Sequence, residues 1–198
     1  MIDVLHWLGA AGIFVPAAAA GLRARQCGSH FTGAAVLGCL VGLSAPLFMD
    51  CLLGMGVPAI LTRETPLGAT ALGGVLGALF GAFNPATSLV FGCLDALGLG
   101  LVACLGSLQG LAMGLPATGC LILGCVSGLI PGILRDMLDG EPILALESDF
   151  YVSAAILGQV LTIGSCFYSH MPRWACVLLG ALVCAMLRGV RIRREAGR

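Results

Sequence analysis

The sequence contains no lysine and has little charge of either sign. All ten basic residues are arginines, and only 10% of the 198 residues are charged, compared with about a quarter in a typical soluble domain. A water-soluble protein of this length needs a charged exterior to remain dispersed. The scarcity of charge therefore excludes a soluble globular protein.

Several functional signatures are also missing from the chain. The formal net charge is zero, so no electrostatic feature indicates a nucleic-acid partner. HExxH, GxSxG and P-loop motifs are absent, and the ten cysteines form no CxxC pair, which argues against an enzyme, a metal centre or a bound cofactor. The cysteines lie mainly in apolar stretches and are interpreted as small buried hydrophobic residues.

The sequence does contain long runs of apolar residues. Hydrophobic residues make up 59% of the chain, and the mean hydropathy is +1.03. Because about 20 apolar residues cross a bilayer as a helix, the pattern predicts an all-α integral membrane protein with seven transmembrane helices. The predicted spans are Val4–Leu22, Phe31–Leu53, Leu67–Phe83, Ser88–Ala112, Ala117–Leu138, Phe150–Tyr168 and Trp174–Val190.

The arginines are distributed unequally between the two sides of the predicted bundle. One side holds Arg23, Arg25, Arg135, Arg188, Arg191, Arg193, Arg194 and Arg198, and the other holds Arg63 and Arg173. Positive charge near a span favours the cytoplasmic side. We therefore expect a protein of the cell inner membrane with its N-terminus outside and its C-terminus in the cytoplasm.

The chain contains an internal repeat. Residues of the second span recur in the fifth at one constant offset: Gly33, Gly38, Gly42, Asp50 and Gly54 match Gly119, Gly124, Gly128, Asp136 and Gly140. Two copies of a three-span unit must enter the membrane in opposite directions, which predicts an inverted-topology pair. The expected units are a first three-helix repeat over 1–86, a second over 87–170, and a seventh helix with a basic tail over 171–198.

Prolines interrupt the second and fifth spans at matching places. The first lies in Gly42-Leu43-Ser44-Ala45-Pro46 and the second in Ser127-Gly128-Leu129-Ile130-Pro131-Gly132. Proline cannot donate a backbone hydrogen bond, so both helices are expected to break and to free the carbonyls of Gly42 and Ser127. These carbonyls are candidate ligands for a passing cation, and a simple packing kink is the alternative.

Four charged residues are candidates for the mouths of a pathway or for its gating. Asp50 and Asp136 close the two proline-containing spans and, in an inverted pair, would lie near opposite faces, either as charges that attract cations or as residues that stop a helix. Arg135 is expected to reach Asp139 rather than its neighbour Asp136. Asp95 has apolar sequence on both sides, and an intramembrane acid is a candidate functional residue.

The motifs resemble those of one known family. Leu94-Asp95-Ala96-Leu97-Gly98, Gly119-Cys120-Leu121-Ile122-Leu123-Gly124, Arg135-Asp136-Met137-Leu138-Asp139-Gly140-Glu141-Pro142 and Tyr151 resemble the second repeat of bacterial trimeric intracellular cation (TRIC) channels. The first repeat is looser, with Met49 where the family has arginine. The resemblance covers nearly the whole chain.

The resemblance implies a homotrimer that passes monovalent cations, potassium or sodium, across a lipid membrane. Each subunit would hold its own pore, lined by kinked second and fifth helices. Inverted repeats with interrupted helices also occur in secondary transporters, so a carrier of a small solute such as an amino acid remains the alternative. A structural membrane protein is a third reading.

Overall fold

The computed structural model describes residues 2–54, 56–83, 88–147, 149–169 and 171–196, and within these ranges all regular secondary structure is helical. The helices are α1 (Ile2–Gln26), α2 (Phe31–Leu52), α3 (Glu64–Phe83), α4 (Ser88–Ala112), α5 (Ala117–Asp139), α6 (Leu144–Glu147), α7 (Asp149–Tyr168) and α8 (Arg173–Ala196), with a 3₁₀ turn at Ala59–Thr62. Seven of the described helices are long and apolar enough to cross a membrane. The predicted fold class is confirmed.

Two helices extend well beyond their predicted spans. α1 continues to Gln26 and α8 to Ala196, because arginine-rich sequence remains a good helix former after it leaves the apolar region. The expected repeat boundaries at residues 86 and 170 lie outside the described residues. Hydropathy therefore located the spans but not the ends of the helices.

The packing of the long helices follows the repeat. α1 contacts both α2 and α3, while α4 contacts both α5 and α7. The two halves meet where α1 packs on α4 and α2 packs on α5, and α8 lies against α4 and α7. Successive long helices run in opposite directions. We call the end where α1 begins the N-terminal face and the end where α8 finishes the C-terminal face.

Glycine permits the closest helix contacts. A Cβ atom on Gly77 of α3 would lie 2.1 Å from the carbonyl oxygen of Ala18 in α1, and one on Gly158 of α7 would lie 2.7 Å from that of Gly180 in α8. Such distances are impossible for a side chain, so larger residues would separate these helices. Close approach of this kind is the usual basis of helix association in lipid.

The helices α2 and α5 do not break at their prolines. Helical structure continues through Pro46 and through Pro131, so the prediction of interrupted helices was wrong. A proline removes only one helical hydrogen bond, and neighbouring helices in a bundle can support the remaining turn. The Ser44 hydroxyl also donates to the carbonyl of Val41 at 2.6 Å, within the turn that precedes Pro46.

The C-terminal ends of α2 and α5 are built alike. Each is followed by a glycine with positive φ, Gly54 at 62° and Gly140 at 69°, a conformation that other residues adopt only at a cost. The chain then turns into a short helical segment in both halves, the 3₁₀ turn after α2 and α6 after α5. Because α2 and α5 run in opposite directions, these matching turns lie on opposite faces of the bundle.

Candidate functional site

Four charged side chains form a buried chain of contacts near the C-terminal face. They come from three helices: Asp95 from α4, Arg135 and Asp136 from α5, and Arg188 from α8. Arg135 Nη1 donates to Asp95 Oδ1, and its Nη2 and Nε donate to Asp136 Oδ1 at 2.6 and 2.8 Å. Arg188 Nη1 lies 2.7 Å from Asp95 Oδ2, at ion-pair distance but without hydrogen-bond geometry. We call these four residues the ion chain.

The ion chain is shielded from water. The whole-residue exposure is 2% for Arg135 and 5% for both Asp95 and Asp136. A charge at this depth is stable only when it is paired. Two arginines and two aspartates cancel formally, so the group is neutral as a unit.

The orientation of Arg135 differs from the sequence prediction. Arg135 was expected to reach Asp139, one helical turn further on, but two of its nitrogens donate to the adjacent Asp136. Neighbouring Cβ atoms on a helix diverge, yet the long arginine side chain folds back along the helix surface. Its third contact, with Asp95, fixes that direction.

Asp95 lies deep in the bundle, as the sequence predicted, but its partner Arg188 was missed. Arg188 was counted with the arginines of the C-terminal tail, whereas its side chain is only 11% exposed. A signal was present, because Arg188 precedes the predicted end of the seventh span at Val190. An arginine inside a span requires a buried partner.

Each of the two arginines stacks on an aromatic ring. The guanidinium carbon of Arg135 lies 4.7 Å from the centroid of the Phe91 ring, and that of Arg188 lies 4.0 Å from the centroid of the Tyr151 ring. Both distances are within the range of favourable cation–π contacts. A Cβ atom on Gly132 would lie 2.6 Å from the Tyr151 hydroxyl, so the absence of a side chain at Gly132 makes room for the tyrosine.

A small cavity borders the ion chain on the side toward the middle of the bundle. Its volume is about 10 Å³, enough for roughly one water molecule. The lining residues are Pro16, Val41, Asp95, Gly98, Leu99, Gly128, Pro131, Gly132, Arg135 and Tyr151. Asp95 and Arg135 thus border a void between α1, α2, α4, α5 and α7.

A larger cavity lies at the N-terminal face and is the repeat-related counterpart of the small one. Its volume is about 400 Å³, and its lining residues are Leu5, Gly9, Gly12, Ile13, Ala45, Pro46, Met49, Val102, Leu105, Gly106, Leu108, Gln109, Ala112 and Arg173. By the repeat offsets, Gly9 corresponds to Gly98 and Met49 to Arg135. The first repeat therefore has an apolar methionine where the second has the central arginine of the ion chain. We call this cavity the vestibule.

The structure brings only some of the predicted pathway residues together. Pro46 borders the vestibule, while Gly128, Pro131 and Gly132 border the small cavity. Three others lie elsewhere. Gly42 packs against α1, Ser44 faces a groove on the outer surface between α2 and α5, and the buried Ser127 hydroxyl donates to the carbonyl of Leu123 at 2.8 Å.

Asp50 and Asp136 hold equivalent local positions. Asp50 Oδ2 accepts a hydrogen bond from the backbone N–H of Ala59 at 2.7 Å, and Asp136 Oδ2 accepts one from that of Leu144 at 3.0 Å. Both carboxylates are buried. Each one therefore fastens the short helical segment that follows its own helix.

Comparison with known proteins places the chain in a family. A protein-family model described as glycine transporter matches residues 92–165. A UPF0126 membrane protein of Deinococcus radiodurans is 30% identical over 160 residues, which cover 80% of this chain and 74% of that protein. The chain belongs to the UPF0126 membrane protein family. A second UPF0126 protein, YvgT of Bacillus subtilis, is 34% identical over 67 residues, 34% of this chain and 33% of that protein.

Solved structures of TRIC channels have the same fold as this UPF0126 chain. A prokaryotic TRIC channel crystallised in 0.5 M KCl superposes with a TM-score of 0.89 at 23% identity and covers 98% of both chains. The TRIC trimeric intracellular cation channel orthologue from Rhodobacter sphaeroides gives 0.87 at 24% identity, over 97% of this chain and 98% of that one. The predicted resemblance to TRIC channels is confirmed at the level of the fold.

Proposed function

We propose that this UPF0126 protein is a channel for monovalent cations, with potassium as the principal ion and one pathway inside each subunit. The observation that carries the proposal is a pair of repeat-related cavities that share α1, α2 and α4 in their linings. One cavity is a vestibule of about 400 Å³ at the N-terminal face, and the other is a void of about 10 Å³ bordered by Asp95 and Arg135 of the ion chain. The TRIC-like fold supports the same function.

The proposed pathway follows α1, α2 and α4, and α5 joins its lining at the small cavity. A cation enters the vestibule beside Pro46, passes the meeting point of the two repeats, and reaches the small cavity beside Pro131. There the guanidinium group of Arg135 occupies the space between the carboxylates of Asp95 and Asp136. Arg135 acts as a tethered cation that holds the place of the permeating ion in a closed state.

The proposal includes a homotrimer in the cell inner membrane, with the N-terminus outside and the C-terminus in the cytoplasm. The name of the Rhodobacter sphaeroides relative describes a trimeric channel, and positive charge near the spans favours the cytoplasmic side. Arg23 and Arg25 belong to the last turn of α1, at the C-terminal face. The side chains of Arg191, Arg193, Arg194 and Arg198 lie outside the described residues.

Flux from liposomes tests the proposal. Purified protein is reconstituted, and efflux of potassium, sodium, chloride and glycine is measured separately. We expect potassium and sodium flux without chloride flux, and we expect Arg135→Gln to raise potassium flux by on the order of tenfold because the tethered cation is removed. Arg63→Gln, at an exposed position outside both cavities, serves as the control. Chloride flux equal to potassium flux, or no cation flux from either protein, would contradict a cation channel.

Glycine transport is the second candidate function. The family model described as glycine transporter covers residues 92–165, which include α5 and most of α4 and α7. A zwitterion needs a positive and a negative group placed together in a cavity that fits it. Arg173 is the charged residue in the lining of the vestibule, and the small cavity has room for about one water. Saturable glycine counterflow without potassium current would favour this candidate over the channel.

A further inference from the structure

The ion chain has an order that matters for its opening. Its four members alternate in sign: Asp136, Arg135, Asp95 and Arg188. The two inner members, Arg135 and Asp95, each have two partners of opposite charge. The two outer members therefore give each inner member a second partner.

The contact between Arg135 and Asp95 can separate without leaving either charge alone. Arg135 would keep its two hydrogen bonds to Asp136 Oδ1, and Asp95 would keep its ion pair with Arg188. An unpaired buried charge is strongly unfavourable, whereas exchange between equivalent partners is much less so. The outer pairs thus lower the cost of moving Arg135 out of the pathway.

We propose that Arg188 is a standby counter-ion for Asp95, which neutralises this carboxylate when Arg135 moves away. Through this pairing, α8 determines how easily the pathway opens. Arg188 is a positioning residue: it acts on the pathway through Asp95 and does not block it. The inference rests on the proposed cation channel, but the pairing it assigns to Arg188 also has consequences for stability alone.

The surroundings of Arg188 suit a fixed counter-ion. Its guanidinium group stacks 4.0 Å from the centroid of the buried Tyr151 ring, and α8 packs directly against α4, which carries Asp95. By contrast, Arg135 comes from the proline-containing helix α5. A fixed partner on α8 and a displaceable partner on α5 leave Asp95 neutralised in both positions of Arg135.

Among its described residues, the first repeat contains no equivalent ion chain. By the repeat offsets, His6 takes the place of Asp95 and Met49 takes the place of Arg135, and α8 lies outside the repeat. The added seventh helix therefore supplies a charge that only the second repeat uses. This assigns α8 a role beyond packing.

A thermal-unfolding cycle tests the pairing whether or not the protein conducts. The variants are Arg135→Gln, Arg188→Gln and the double variant, each in the parent and in an Asp95→Asn background. If either arginine suffices to neutralise Asp95, each single change lowers the midpoint modestly, and the double change lowers it by clearly more than the sum. In the Asp95→Asn background this excess disappears. Strictly additive losses would overturn the standby role.

Single-channel recording tests the consequence for opening. Without Arg188, departure of Arg135 strands Asp95, so we expect Arg188→Gln to reduce open probability by about tenfold or more at an unchanged unitary conductance. Adding Asp95→Asn should restore opening to the parent level or above, because no carboxylate is then stranded. Arg63→Gln, at an exposed position that lines neither cavity, should open like the parent.

The outcomes separate the two proposals. A rise in open probability for Arg188→Gln, or a value equal to that of Arg63→Gln, would overturn the standby role while leaving the channel intact. If the parent and Arg135→Gln both fail to conduct in the same bilayers, the channel is wrong, and the thermal cycle still decides whether Arg188 and Arg135 share Asp95.

Discussion

At the scale of single residues, Asp50 separates two explanations that the sequence left open. A carboxylate at a pore mouth attracts cations, whereas a buried one that accepts the N–H of Ala59 at 2.7 Å holds the connection after α2. Burial favours the second role, because a shielded carboxylate that is hydrogen-bonded to its own chain contributes less to the field at the mouth.

We predict that Asp50→Asn conducts like the parent in dilute potassium, because the amide oxygen still accepts the hydrogen bond. Asp50→Ala should lower stability by about 1–3 kcal/mol, since the N–H of Ala59 loses its acceptor. Conductance at low and high salt, together with thermal unfolding, measures both effects. A loss of conductance in Asp50→Asn that is confined to low salt would instead indicate an electrostatic role, since salt screens exposed charges.

Gly132 connects the proline region of α5 to the ion chain. A methyl group at this position would lie 2.6 Å from the Tyr151 hydroxyl, and Tyr151 in turn stacks on Arg188. We predict that Gly132→Ala lowers stability by about 1–3 kcal/mol through overpacking. Combining it with Tyr151→Phe should recover part of the loss.

Gly9 provides the matched control for this prediction. It borders the vestibule, and a Cβ atom there would meet nothing within 4 Å. Gly9→Ala should therefore unfold at the parent temperature or slightly above it, because alanine favours the helix more than glycine does. If Gly132→Ala is equally neutral, Tyr151 does not need the space that the glycine leaves, and the proposed contact between α5 and α7 carries no strain.

At the scale of helices, the sequence predicted the spans and the repeat but not the ion chain. Runs of apolar residues are sufficient to locate a span, and the matched glycines and aspartates of α2 and α5 were sufficient to reveal the duplication. The partner of Asp95 was not predictable in the same way, because it depends on how α8 packs against α4. Arg188 was counted with the arginines that follow it in the sequence, so its place inside the bundle was not recognised.

Two further predictions were wrong because the sequence pattern contains no information about side-chain rotamers or about packing between helices. Hydropathy says nothing about side-chain rotamers, so the contact of Arg135 with its neighbour Asp136 was not foreseen. The rule that proline breaks a helix ignores the support of neighbouring helices, and α2 and α5 continue through Pro46 and Pro131. The cavities depend on packing between helices far apart in sequence.

We predict that Pro46→Ala and Pro131→Ala change cation flux more than they change folding. Alanine restores one backbone hydrogen bond and removes a ring that borders a cavity, the vestibule at Pro46 and the small cavity at Pro131. Helical content and assembly are checked by circular dichroism and size-exclusion chromatography, and flux by the liposome assay. A double variant that folds and conducts like the parent would show that the prolines serve packing only.

At the scale of the whole molecule, the two repeats share a plan and differ in what fills it. Both end their second helix with an aspartate that fastens the next connection and a glycine of positive φ. One repeat then borders a large apolar vestibule, and the other borders a small cavity next to the four buried charges of the ion chain. The difference follows from a few substitutions, Met49 against Arg135 and His6 against Asp95.

This difference between the repeats makes the protein asymmetric across the membrane. If the narrow, charged segment lies near the C-terminal face and the wide cavity opens at the other, a bulky quaternary ammonium ion can enter from the N-terminal side and lodge in the vestibule, but it meets the ion chain at once from the C-terminal side. We predict that tetraethylammonium blocks potassium current from the N-terminal side alone, and that Met49→Trp, which narrows the vestibule, weakens this block. Addition of the blocker to each bath of a bilayer with oriented channels measures the effect. Equal block from both sides would mean that the narrowest segment lies at the centre of the protein. The two faces would then be equivalent to a blocking ion.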